Sequence, residues 1–161
     1  MRLLGIATAA AVLVLLAVPA TAGLQVTTCR DLGGTWYYTF FACTPNVHAN
    51  DLHVRLTTVE VQQGEKIVAC TVPAAPGFGC TTTATEATYQ FPLIGPFECV
   101  PAIPGDAGKF GIEIASPDGI TIVEEIWTLD GAVAAAFVSV ITCPPVPVES
   151  STWGAVKSLY R

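Results

Sequence analysis

Residues 120–142 read ITIVEEIWTLDGAVAAAFVSVIT, and this stretch decides the fold. Ile120 to Leu129 and Ala132 to Thr142 are rich in β-branched and apolar side chains, and only Asp130-Gly131 separates them. A two-residue hairpin loop of type I′ needs positive φ at both positions, and Asp-Gly meets that need better than most pairs. The spacing therefore predicts an antiparallel hairpin. Its second arm, AVAAAFVSVI over 132–141, carries apolar residues on both faces, which predicts a central strand covered on both sides. As a helix it is too short to cross a bilayer, which takes about 20 apolar residues.

The pattern repeats upstream. Lys109 to Ala115 (KFGIEIA) reads as a strand closed by the turn Ser116-Pro117-Asp118-Gly119. Thr88 to Leu93 is a short strand between two Pro-, Gly- and Thr-rich connections, 73–86 and 95–108. Asp51 to Gln62 alternates, with Leu52, Val54 and Leu56 on one face and His53, Arg55 and Thr57 on the other. Gln63-Gly64 reads as a turn and Glu65 to Val72 as the return strand, so 51–72 is expected to form a hairpin. Thr35 to Ala42 (TWYYTFFA) is a further strand, and residues 23–34 lead into it. About seven strands, with no confident amphipathic helix inside the domain, predict an all-β, antiparallel two-sheet sandwich of immunoglobulin-like type. A small barrel is the alternative.

The ends carry different signals. Met1-Arg2 is followed by an apolar run from Leu3 to Val18, then Pro19 and the small-x-small triplet Ala20-Thr21-Ala22. That is the order of a secretory signal peptide over 1–22, with cleavage after Ala22 and Gly23 as the new N-terminus. The domain is expected to span 23–143. Residues 144–151 (PPVPVESS) read as a proline-rich linker. Residues 152–161 read as a short amphipathic helical tail capped by Thr152, with Trp153, Val156, Leu159 and Tyr160 near one face. Such a face is a handle for a partner groove, or a cover for the chain's own sheet edge.

The six cysteines, Cys29, Cys43, Cys70, Cys80, Cys99 and Cys143, all follow the signal segment. An even count in an exported chain argues for disulfides, and the absence of close C-x-x-C pairs argues against zinc. Because short loops close at the least entropic cost, local pairing is expected: Cys29–Cys43, Cys70–Cys80 and Cys99–Cys143. A secreted location follows, whether periplasm, cell surface or medium, with no stable membrane span after cleavage. Formal charge is −6 and only 12% of residues are charged, without a basic patch. That composition argues against nucleic acid and anionic membrane surfaces as partners.

The tail Trp153-Gly154-Ala155-Val156-Lys157-Ser158-Leu159-Tyr160-Arg161 resembles the W-G-x-x-K-x-L-Y-R ending of uncharacterised secreted bacterial proteins. The segments Asn50 to Val54 and Trp127 to Gly131 are similar to parts of the same exported β-sandwich proteins. The resemblance covers about a third of the chain after Ala22. It implies an extracytoplasmic sandwich and transfers no catalytic residue.

Three groups of side chains are candidates for chemistry. His48, Asp51 and His53 offer two imidazoles and a carboxylate, a candidate metal set, but without a ligand spacing signature loop and turn duties are the better account of them. Glu113 with Glu124 or Glu125 offers a carboxylate pair for hydrolysis, against the plainer role of solvated strand faces. Trp36, Tyr37, Tyr38 and Phe41 offer flat aromatics to a sugar ring or an apolar surface, with one face of that strand needed for the core. No nucleophile, phosphate-loop or dinucleotide motif occurs. The expected function is a non-catalytic module, without a cofactor, that binds a protein or carbohydrate or assembles outside the cytosol. A small secreted hydrolase and a tail-anchored structural envelope subunit are the alternatives.

Overall fold

The computed structural model describes residues 22–100 and 110–143. Most of the expected signal segment 1–22 (all but Ala22), together with the linker 144–151 and the tail 152–161, lies outside the described residues. The described chain forms β1 (Gly23–Asp31), β2 (Thr35–Cys43), β3 (Ala49–Leu56), α1 (Thr58–Gln63) and β4 (Lys66–Thr71). It continues with β5 (Gly79–Thr82), β6 (Glu86–Ile94), β7 (Cys99–Val100), β8 (Phe110–Ala115), β9 (Ile120–Leu129) and β10 (Ala132–Thr142). One sheet has the order β1-β2-β8-β4, with β7 continuing the line of β8 along the end of β2. The other has the order β10-β9-β3-β6-β5. Every strand pair is antiparallel.

The two-sheet, all-β expectation holds, with ten strands in place of about seven. The hairpin at 120–142 forms as its turn chemistry demands: Asp130 has φ 50° and Gly131 φ 80°. Asn50 clips that turn to the neighbouring strand, its Nδ2 donating to Asp130 Oδ1 at 2.9 Å and its Oδ1 accepting from Asp130 N at 3.0 Å. Alternation then selects the core face of each strand. Tyr38, Phe40, Leu52, Val54, Tyr89, Phe110, Ile112, Val123 and Trp127 are buried between the sheets. Phe40 meets Tyr89 edge-on at 5.5 Å, and Phe110 packs within 6.1 Å of the Phe40, Phe78 and Tyr89 rings.

Five expectations about elements are corrected. Residues 51–62 are not one strand: β3 stops at Leu56, and Thr58–Gln63 makes a helical turn closed by Gly64 at φ 90°. A Gly in the left-handed region is an ordinary helix stop, and the turn is needed because β3 and β4 belong to different sheets. The supposed 51–72 hairpin is therefore a crossover. Residues 23–34 hold strand β1, and the 73–86 connection holds β5. The run 132–141 is not a central strand but most of the edge strand β10.

Two of the three expected disulfides are also corrected. The bridges are Cys29–Cys143, Cys43–Cys99 and Cys70–Cys80. Cys29 sits opposite Tyr38 in the β1–β2 ladder while Cys43 sits opposite Gly23, so sheet register carries the two cysteines apart despite their closeness in sequence. Cys43 instead faces Cys99 directly across the β2–β7 pair, and Cys29 meets Cys143 just beyond the end of β10. Cys29–Cys143 thus ties the sheets together at the β1/β10 side, and Cys70–Cys80 ties them at the β4/β5 side.

Candidate functional site

The aromatic strand β2 divides as its alternation requires. Tyr38 is wholly buried, its hydroxyl donating to Gly119 O at 2.6 Å, so it cannot meet a ligand. Burial first, and then the carboxylates of Glu65 and Asp118, push its phenol well above the ordinary range. Trp36 shares that inner face, half-buried against the core and lying over Gly119, where a Cβ would come within 2.6 Å of the ring. Tyr37 and Phe41 are on the outer face, each half-buried. Tyr37 lies across bare Gly111, and the Arg30 guanidinium stands 5.0 Å from its ring centroid. Its hydroxyl is 3.3 Å from Thr71 Oγ1, and Glu113 is its cross-strand neighbour. The outer face of the first sheet therefore carries one row, Arg30–Tyr37–Glu113, of a cation, a ring and a carboxylate.

The histidine set does not converge. His48 is exposed in the loop before β3, whereas His53 projects from the outer face of β3 and turns to Glu86, its Nδ1 2.8 Å from Oε1. Asp51 accepts from Thr128 Oγ1 at 3.5 Å instead. Arg55 Nε donates to Glu86 Oε2 at 2.8 Å, and its Nη1 comes to 4.0 Å from Glu124 Oε2. Burial would raise the Glu86 carboxyl, but hydrogen bonds from His53 and Arg55 and the Arg55 charge outweigh it, leaving Glu86 below the usual range. Among the described residues no three His, Cys, Asp or Glu side chains are placed to hold a metal ion.

The carboxylates of the hydrolase alternative are dispersed. Glu113 faces outward from the first sheet and Glu124 outward from the second, on opposite sides of the molecule. Glu125 points the other way, into the core, and is fully buried. Burial pushes its carboxyl up, and Ser139, the Leu24 amide and Trp127 offset only part of that.

Beside the His53–Glu86–Arg55–Glu124 group the surface turns apolar. Ile120, Ile122 and Ile126 of β9 stand beside Thr142, Val140 and Ala136 of β10 on the outer face. Val133, Val138 and Val140 are 67%, 63% and 56% exposed. A shallow depression of about 320 Å³ opens there, lined by Glu124, Ile126, Ala136, Phe137 and Val138. No protein family, curated protein or solved structure matches this chain. Among the described residues no helix is long and apolar enough to cross a membrane.

Sequence reasoning missed both the β9–β10 strip and the role of Glu86. For the strip a signal was present: β10 holds no charged residue and no proline over its eleven positions. For Glu86 there was none, because only the β3–β6 pairing brings it beside His53, 33 residues away. The tail residues Trp153, Val156, Leu159 and Tyr160 lie outside the described residues.

Proposed function

We propose that the chain is an exported, non-catalytic module that assembles with a protein partner along β10, in the simplest case with a second copy of itself. The observation that carries this reading is the nature of that edge. Natural sheets guard their edges with Lys, Pro, short strands or a covering segment, since an unpaired edge is a template for another strand. Here β10 is eleven residues long and uncharged, and it carries exposed valines beside exposed isoleucines of β9. Among the described residues no strand pairs with its outer side. Strand addition would use the free backbone groups, and the apolar strip would supply the burial. Three disulfides support export to an oxidising compartment, and the 1–22 signal pattern supports the same route. The orders β1-β2-β8-β4 and β10-β9-β3 support an immunoglobulin-like topology with β5–β6 as an inserted hairpin.

Sedimentation of the oxidised protein from micromolar to millimolar concentration tests the reading. A concentration-dependent dimer that dissociates when Val138 and Val140 are both changed to Lys is expected. A monomer throughout that range contradicts self-assembly.

A second reading, carbohydrate binding, is favoured by the row Arg30–Tyr37–Glu113, where a half-exposed ring lies between two hydrogen-bonding charges. It requires glycan binding that Tyr37→Ala reduces at least tenfold; binding untouched by that change removes it.

A further inference from the structure

Of the buried carboxylates among the described residues, Glu125 lies deepest and, like Glu65, leaves one oxygen without a hydrogen-bond partner. Glu125 is 0% exposed on the inner face of β9. Its Oε1 accepts one hydrogen bond, from the Leu24 amide at 2.9 Å, and its Oε2 is buried with no hydrogen-bond partner. The neighbouring Trp127 Nε1 is buried and unpartnered as well. Around the carboxylate stand Gly23 and Leu24 from β1, Phe137 and Ser139 from β10, Trp127 from β9 and, next to it in register, Val54 from β3. None of these side chains is charged. An isolated carboxylate in such a place is strongly unfavourable unless it is protonated or paired.

Gly23 is buried against this group. A Cβ there would stand 3.4 Å from Glu125 Oε1 and 3.3 Å from Phe137 Cε2, and Gly23 has φ 121°, a conformation that other residues rarely adopt. The backbone of the first residue of β1 is thus held beside the Glu125 carboxylate, on the side of Oε1, and Gly23 is also the residue that follows the expected cleavage site.

We propose that export completes the core: removal of the segment ending at Ala22 frees an α-ammonium at Gly23, and this ammonium pairs with the buried Glu125 carboxylate and ties β1 to the second sheet. The inference rests on the export reading above. It explains a glycine at the first position of the processed chain and a carboxylate in the core facing it. The free ammonium has three donors and a full charge, where the uncleaved amide has one donor and none. Processing would therefore change the pH response. In the uncleaved chain the folded-state pKa of Glu125 is above its ordinary 4.5, so stability is fully present below that value and is lost as pH rises through the raised pKa. Pairing with the ammonium brings the pKa down and removes that loss. Glu65, also raised by burial, acts equally in both forms and cancels from the comparison.

The test compares oxidised chains starting at Gly23 and at Ala22, each with Glu125 and with Glu125→Gln, by urea unfolding at pH 4 and pH 7. At pH 7 the extra alanine should raise the unfolding constant at least tenfold with Glu125 present and leave it unchanged in E125Q. At pH 4 the difference should shrink. An extension effect of equal size in both backgrounds, or none in either, overturns the proposal. Should E125Q fail to fold, NMR titration of the Gly23 α-amine decides: a pKa above the ordinary value of about 8 supports the pair, and an unshifted value overturns it. N-terminal sequencing of the exported protein separates the two layers. A start other than Gly23 removes the cleavage position and the proposal together; a start at Gly23 without coupling removes the proposal alone.

Discussion

Replacing both Cys29 and Cys143 with alanine is expected to lower the stability of the oxidised domain by about 4.7 kcal/mol, the loop-closure entropy of a bridge spanning roughly 100 residues. The bridge closes a sequence separation of 114, far larger than the 10 closed by Cys70–Cys80, for which the same relation gives only about 2–3 kcal/mol. Position compounds the length effect. β1 is the edge of one sheet and β10 the edge of the other, and no ladder hydrogen bonds join them. Without the bridge, β1 keeps its pairing to β2 and loses its covalent tether to the second sheet. Denaturant unfolding of the double variant beside the wild type measures the loss, both cysteines being replaced so that no lone thiol remains to exchange. A loss below about 1 kcal/mol would mean that the unfolded chain is already restrained, or that the bridge does not form in the folded protein.

The second large effect is expected at Phe110. Its ring is fully buried at the start of β8, with centroids at 6.1 Å to Phe40, 5.8 Å to Phe78 and 5.6 Å to Tyr89. These rings come from strands of both sheets and from the connection before β5, so the cluster is where the two layers interlock. Phe110→Ala removes the shared partner and leaves a cavity that rigid strands close only in part. The expected cost is about 3–5 kcal/mol, and Phe110→Leu, which refills much of the space, should cost clearly less. Equal losses for the two substitutions in urea titrations would show that refilling the apolar volume does not restore the packing, contradicting the cavity account.

How much of this was legible in the sequence depends on the range of the interaction. The 120–142 hairpin was readable because its signal is local: Asp130-Gly131 tolerates the positive φ values that the turn adopts, and both arms favour strand. That Tyr37 and Tyr38 lie on opposite faces followed from alternation, but which of the two enters the core did not. The helical turn at Thr58–Gln63 was disguised, since Thr58-Val59-Glu60-Val61 alternates like a strand; in the fold both valines are exposed and Glu60 is buried. Gly64 was the clue to the helix end.

Edge position was not readable in the same way. A run with apolar residues on both faces fits a covered central strand as well as an edge awaiting a partner, and only the pairing of β9 with β3 on its other side decides between them. Disulfide connectivity and the His53–Glu86–Arg55 group belong to the same class, being created by which strands lie side by side. Glu124 and Glu125 could be assigned to opposite faces from adjacency, but not which of the two enters the core.

The most direct test of the whole account is a non-reducing peptide mass map of the protein recovered from its exported location. Cross-linked peptides joining Cys29 to Cys143, Cys43 to Cys99 and Cys70 to Cys80, with every thiol consumed, are the expected result. Peptides joining Cys29 to Cys43 and Cys99 to Cys143, or cysteines that alkylate without reduction, would contradict an oxidised sandwich whose sheets are tied at both edges.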